Sequence, residues 1–341
     1  MHQTHIPALP WEEIHSPTRK FHSFFKNISL ALGGTRNVGT WGGGHPFDLQ
    51  IRRIPPGSSV CPFHLHLAQW EMFVVQAGTG VVRTPEGRHA IRAGDAFIHP
   101  PGAAHQLLND ASAGDLEVLI ITDNPPFDGC HYPDSNKWAL RPPGKIFRMT
   151  ETNYYDGEDP EPAGAAPFRF AMMAMSEVPP FAARRVHVDA LAWEPFDSPK
   201  RKFRGLSKEV SIALGARRHA PPGLGGHPFD LEIGKLPPGF AGCPFHSHAA
   251  QWELFLVASG TARVRANDET KMLRAGDVVI HPPGEAHQIA NASPDEDLVY
   301  WLVADNPPVD YWHYPDSKKW GLRAPRKFFR PDDVDYWEGE E

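Results

Sequence analysis

The 341-residue chain has room for two ordinary domains, and its 41% hydrophobic content argues against a disordered or fibrous protein. Its formal net charge of −7 is spread without a basic block, which excludes nucleic acid as the main partner and leaves no footprint for an anionic membrane. The opening MHQTHIPALPWEE has no basic segment leading into an apolar one, no long apolar run occurs, and Cys61, Cys130 and Cys243 lack a framework spacing. A cytoplasmic protein without a disulfide scaffold is therefore expected.

The 36 Pro and 30 Gly leave little room for long helices, whereas short strands joined by tight turns tolerate them, so an all-β fold is expected. In chain order, Trp11 and the GGHPFDL segment around His45 precede CPFHLHLAQWEMF, which begins at Cys61. Short apolar runs then follow at Met72 to Val75, Gly80 to Val82, Ala96 to Ile98 and Leu116 to Ile121. Bounded by turn residues, they predict the strands of a closed or sandwiched barrel. RAGDAFIHPPGAAHQ carries two Gly/Pro turns, and DNPP begins at Asp123. HYPDS begins at His131; its Asp134 reads as a turn or capping group, and the segment after it is expected to hold one short helix.

All of this then recurs. CPFHSHAAQWELF begins at Cys243, an offset of 243 − 61 = 182, and the same offset joins His45 to His227, Asp123 to Asp305, His131 to His313, Asp134 to Asp316 and Trp11 to Trp193. The expected organisation is an N-terminal domain over 1–158, a linker over 159–186 and a C-terminal domain over 187–341. The linker cluster Met172, Met173 and Met175 reads as a packing segment.

His64 and His66 are two apart, so on a strand both imidazoles share one face, the barrel interior. Glu71 follows after room for a turn, and His105 arrives from a later strand, so four ligands from three strands can converge. The second copy repeats the set as His246, His248, Glu253 and His287. Three imidazoles and a carboxylate without thiolate suit one divalent transition metal per domain, Fe, Mn, Zn, Ni or Co. The residual positive charge would attract small anionic or enolisable ligands, and an octahedral ion would keep two positions open.

These segments resemble the two cupin motifs residue by residue. The first runs H-x-H, four residues, Glu71, six residues and Gly78; the second runs Gly94, five residues, Pro100-x-Gly102, two residues, His105, three residues and Asn109. The second copy fits through Gly260 and Asn291. One departure is shared: six residues rather than the family's usual five separate Gly57 from His64 and Gly239 from His246, which suggests a bulge near Pro62 and Pro244. The YPDS tail is similar to that of a group of bacterial cupins. The resemblance implies two tandem double-stranded β-helix (jelly-roll) barrels, a bicupin, with a metal in each barrel.

Gln69 and Gln251 share the glutamate's side and are candidates for orienting a metal-bound water or the carboxylate. Phe73 and Phe255 have the glutamate's parity and should line the barrel. Trp70 and Trp252 have the opposite parity and should pack outside it, between domains. Parity also argues against Cys61 and Cys243 as ligands unless a bulge intervenes. His45, His227, His99 and His281 read as turn or interface residues, and Cys130 as incidental. By analogy with other two-domain cupins, the leading expectation is a metal-dependent enzyme of dioxygenase or decarboxylase type acting on a small oxygenated or carboxylate substrate. The alternatives are a sugar or sugar-phosphate isomerase or epimerase, and a non-catalytic small-molecule binding or storage protein. A homo-oligomer is compatible with either, since two fused barrels can themselves pack as a cupin dimer does.

Overall fold

The structure, a computed structural model, describes residues 1–158 and 177–340. The methionine cluster of the connecting segment lies outside the described residues. Every pairing between named strands is antiparallel, and the expected apolar runs fall within the strands Glu71–Ala77, Thr79–Thr84, Asp95–His99 and Leu116–Asp123. Each repeat folds into a jelly-roll barrel of the double-stranded β-helix type.

Strict alternation of side chains builds two cores from one sequence. In Glu71–Ala77, Met72 and Val74 face the neighbouring repeat, while Phe73 and Val75 face the barrel interior. Leu119 and Ile121 divide from Val118 and Ile120 in the same way, and in the second repeat Leu254 divides from Phe255 and Val257. The outward set from both repeats merges into one apolar layer, with Phe47 and its counterpart Phe229 fully buried. Burying each such side chain is worth roughly 1.5–3 kcal/mol, so the face-to-face packing of the two large sheets is a principal source of stability.

The large sheets are completed by exchange. The strand His2–His5 joins Asp277–His281 in the C-terminal barrel, and Arg185–His187 joins Asp95–His99 in the N-terminal barrel. Among the described residues each of these sheets thus has seven strands, one supplied by the other half of the chain. The chain continues the contact: Ile6 N–H donates to the Gly276 carbonyl at 2.8 Å, and Val188 N–H to the Gly94 carbonyl at 2.8 Å. Gly94 and Gly276 have φ of +90° and +86°, and a Cβ there would come within 2.6 Å of His187 Cε1 or 2.8 Å of Pro7 Cδ. Close approach of the visiting strand therefore demands glycine at these motif positions, in addition to the left-handed turn.

The helix expected after HYPDS is absent. A 3-10 turn covers Pro133–Ser135, and Lys137–Arg141 continues as a strand paired with Asp128–Tyr132. Trp138 stacks on His131 at 4.4 Å, a cross-strand contact that holds the hairpin and overrides the local helical reading. Asp134 caps no helix; its two oxygens meet Arg83 at 2.6 and 2.8 Å, as Asp316 meets Arg265 at 2.8 and 3.0 Å. Among the described residues no helix is long and apolar enough to cross a membrane.

Candidate functional site

His64 and His105 face each other across an antiparallel bridge, each backbone N–H donating to the other's carbonyl at 3.1 and 2.8 Å. That pairing sends both rings out of the same face, 4.6 Å apart. His66 lies two residues on, and Glu71 opens the next strand, so the four side chains meet inside the barrel. Glu71 Oε2 is 2.8 Å from His105 Nε2, 3.6 Å from His66 Nε2 and 3.8 Å from His64 Nε2. In the second barrel His287 Nε2 and His248 Nε2 lie 2.6 and 3.6 Å from the Glu253 carboxylate, and His246 Nε2 is 3.1 Å from His248 Nε2.

What lies behind each ring fixes its tautomer. His64 Nδ1 donates to the Pro62 carbonyl at 3.0 Å, His105 Nδ1 to the Ala103 carbonyl at 2.9 Å, and His66 Nδ1 to Asp128 Oδ2 at 2.6 Å. The second copy matches through Pro244, Glu285 and Asp310 at 2.9, 3.1 and 2.7 Å. Carbonyls and carboxylates only accept, so every Nδ1 carries a proton and every Nε2 is left facing into the cluster around the glutamate, where His287 Nε2 hydrogen-bonds Glu253 at 2.6 Å. Three imidazoles crowded on one buried carboxylate leave Nε2 and carboxylate oxygens as the atoms available to an ion. Donors held about 2.1 Å from a common ion would stand about 3–3.5 Å apart. The donor set therefore fits a divalent transition ion in each barrel.

Burial alone would raise the Glu71 carboxyl, but His66 and His105 outweigh it and hold it well below the usual carboxylate range; Glu253 behaves likewise. Burial lowers His66, and the carboxylates of Glu71 and Asp128 overcome this to bring it up to about 9. An ion at the centre would displace that proton.

Gln69 lines the same cavity, but its amide is spoken for. Nε2 donates to the Asp123 carbonyl at 2.6 Å and Oε1 accepts from Arg141 at 3.0 Å, so it braces the mouth rather than touching Glu71. Gln251 donates to the Asp305 carbonyl in the same manner. Phe73 and Phe255 lie edge-on to His105 and His287 at 5.8 and 5.9 Å. Trp70 packs on His227 at 5.2 Å and Trp252 on His45 at 5.3 Å, a reciprocal clasp between the barrels.

Several neighbours were not foreseen. His99 and His281, expected at turns or interfaces, are buried and also lie flat on His105 and His287, with centroids 3.8 and 4.2 Å apart, while His99 Nδ1 meets Arg184 of the crossing segment at 3.1 Å. The segment before His64 carries Cys61 Sγ to 3.5 Å from His64 Nδ1, against simple parity, and burial pushes this thiol up to about 12, leaving it protonated. Cys130 Sγ lies 3.4 Å from His66 Nδ1. Asp128 and Asp310, which orient a histidine in each barrel, were missed as well. Their signal was in the sequence, since they are 182 apart and each stands five residues beyond its DNPP aspartate. The N-terminal cavity above the donor cluster has a volume of about 370 Å³.

Comparison with known proteins agrees with this fold. Residues 50–122 and 233–304 each match the Cupin domain family. Among solved structures, the oxalate decarboxylase of Bacillus subtilis, a protein with Mn(II) centres, is 16% identical at a TM-score of 0.51, covering 91% of this chain and 78% of that one. Lactobacillus farciminis oxalate decarboxylase in complex with formate is 18% identical (TM-score 0.50, covering 90% and 86%). A glyoxylate-induced protein from Pseudomonas aeruginosa is 13% identical (TM-score 0.51, 86% and 83%). At these identities the likeness concerns the fold. With a match in each repeat and the same residue pattern in both, the chain carries two cupin domains.

Proposed function

We propose that the protein is a metal-dependent enzyme with one divalent transition ion per barrel, acting on a small carboxylate-bearing substrate by decarboxylase-type or dioxygenase-type chemistry. The observation that carries the reading is the anchoring of all six histidines through Nδ1, which turns every Nε2 into a cluster around a buried carboxylate. An inert container has no use for such convergence. The structural similarity to oxalate decarboxylases points in the same direction.

His64, His66, Glu71 and His105 would hold the ion in the first barrel, and His246, His248, Glu253 and His287 in the second. When bound, the ion supplies Lewis acidity to a coordinated oxygen and, if redox-active, electron transfer. Asp128 keeps the His66 ring aimed inward, and Asp310 does so for His248. Phe73 lies against His105 and continues into the buried apolar cluster of Val75, Val82 and Phe97, which would limit water at the reacting face. A cavity of about 370 Å³ admits a few-carbon acid rather than a polymer.

The test is elemental analysis of protein purified without added metal, followed by a screen of small mono- and dicarboxylates for carbon dioxide release and oxygen uptake. Near-stoichiometric manganese or iron with turnover of a carboxylate supports the proposal. Absence of metal, or metal without turnover of any small acid, overturns it.

A further inference from the structure

The two interiors share their donors but not their walls, and the largest difference is a cation. Arg52 lies on Phe47–Ile54, on the inward face with Asp48 and Gln50, and lines the cavity that contains Glu71. It is only 6% exposed. Its hydrogen bonds go to neutral oxygens, from Nε to Gln50 Oε1 at 3.0 Å and from Nη1 to Ser23 Oγ at 2.9 Å, and the ring of Phe25 lies 4.9 Å from the guanidinium. No carboxylate pairs with it among the described residues. Glu71 acts on it electrostatically but is already engaged by histidines. Burial draws Arg52 down to about 10, which still leaves it charged at neutral pH. A buried guanidinium without a counter-ion is costly unless an anion relieves it.

In the second barrel the same position, 52 + 182 = 234, is glycine. A Cβ at Gly234 would stand 2.2 Å from Tyr300 Cζ, because the tyrosine fills the space that Arg52 occupies in the first barrel; the Tyr300 counterpart there is Val118. Gln50 is replaced by Glu232, whose carboxyl burial pushes up to about 7. One interior has gained a fixed positive charge, the other an acid.

We propose that Arg52 anchors the carboxylate of an anionic substrate, and that the N-terminal barrel alone takes such a substrate while Tyr300 and Glu232 bar it from the C-terminal barrel. This rests on the reading of the N-terminal cavity as a metal-dependent substrate site. A guanidinium offers two parallel N–H donors to a carboxylate, so the substrate carries at least one carboxylate free to point away from the metal ligands. Mono- and dicarboxylates are the favoured class, and neutral sugars are excluded.

Titration calorimetry of oxalate into the metal-loaded full-length protein, with metal content measured on each sample, tests this. The wild type should show one tight equivalent per chain, and a second at least about tenfold weaker. Arg52→Gln should weaken the tight site about tenfold to hundredfold with metal content unchanged, and Arg52→Lys should recover part of the loss. The triple variant E232Q/G234R/Y300V, which transplants the first wall into the second barrel, should create a second tight equivalent. Arg52→Gln binding within twofold of wild type, or two equally tight equivalents in the wild type, overturns the proposal while leaving the metal-enzyme reading intact. A protein that takes up no metal sinks that reading instead. Should Arg52→Gln not fold, Arg52→Lys and the transplant still decide the matter.

Discussion

Set side by side, the two barrel interiors agree at the eight candidate ligand positions and at the aspartates that orient His66 and His248, yet they disagree on the strands one to three places across the sheet. Ser23, Gln50, Arg52 and Val118 face Gly205, Glu232, Gly234 and Tyr300. Coordination needs four donors within a few tenths of an ångström of their places, so a change there abolishes it outright. A wall residue only sets which molecules approach. Duplicated sites can therefore keep the same inner geometry while their outer surfaces diverge in charge and volume.

The sharpest way to break that comparison is to remove one donor. His66→Ala should cut metal content from two ions per chain to one, with His248→Ala giving the mirror result by elemental analysis. Loss of both ions from either variant would show that the sites are not independent. Next in size, Asp128→Asn and Asp310→Asn should each weaken metal affinity at their own site roughly 10–100-fold, measured by competition with a chelator. Equal effects would confirm that the orienting carboxylate works alike in both barrels.

Ile6 sharpens the comparison from the side of stability, since it belongs to one repeat and packs in the layer shared by both. Ile6→Ala should cost roughly 2–5 kcal/mol, and unfolding by circular dichroism should remain one transition for the whole chain. Two separate transitions would mean that the barrels fold independently.

The smallest expected effect concerns pH. Burial pushes Asp123 and Asp305 up to about 7, well above the value of an exposed aspartate. The folded state thus holds their protons more tightly than the unfolded chain, so their contribution to stability is present at about pH 4 and is lost as pH rises through 7. Asp123→Asn and Asp305→Asn keep the acceptor for the backbone N–H of Trp70 or Trp252 and should remove that loss. Wild type and variant melting temperatures should then diverge between pH 4 and 8, with the variants higher at pH 8.

That His64, His66 and Glu71 would meet at one point was legible in the sequence, because H-x-H followed by glutamate is local and strand parity carries the pair to one face. The same parity placed Phe73 inside and Trp70 between the barrels. Asp128 was marked by the repeat as a residue shared with Asp310, but its orienting role was not legible, because it reaches His66 from 62 residues away. Arg52 escaped for the opposite reason: reading the copies against each other highlights what they share, and Arg52 occurs in one. The exchanged strands were hidden too, since the spacing of His2–His5 and Arg185–His187 is the same whether each strand stays home or crosses. The short helix failed because Trp138 stacks across a hairpin, a tertiary contact invisible to local propensity.

The crossing strands make the pair of barrels indifferent to dilution. A half-length product would expose a raw edge along Asp95–His99 or Asp277–His281 and would have to borrow the lacking strand from a second molecule, at a rate set by its concentration. Covalent fusion turns that encounter into an intramolecular event, so the interlocked arrangement survives at any protein level. Each barrel's large sheet is in this way finished by a strand from the other half of the chain.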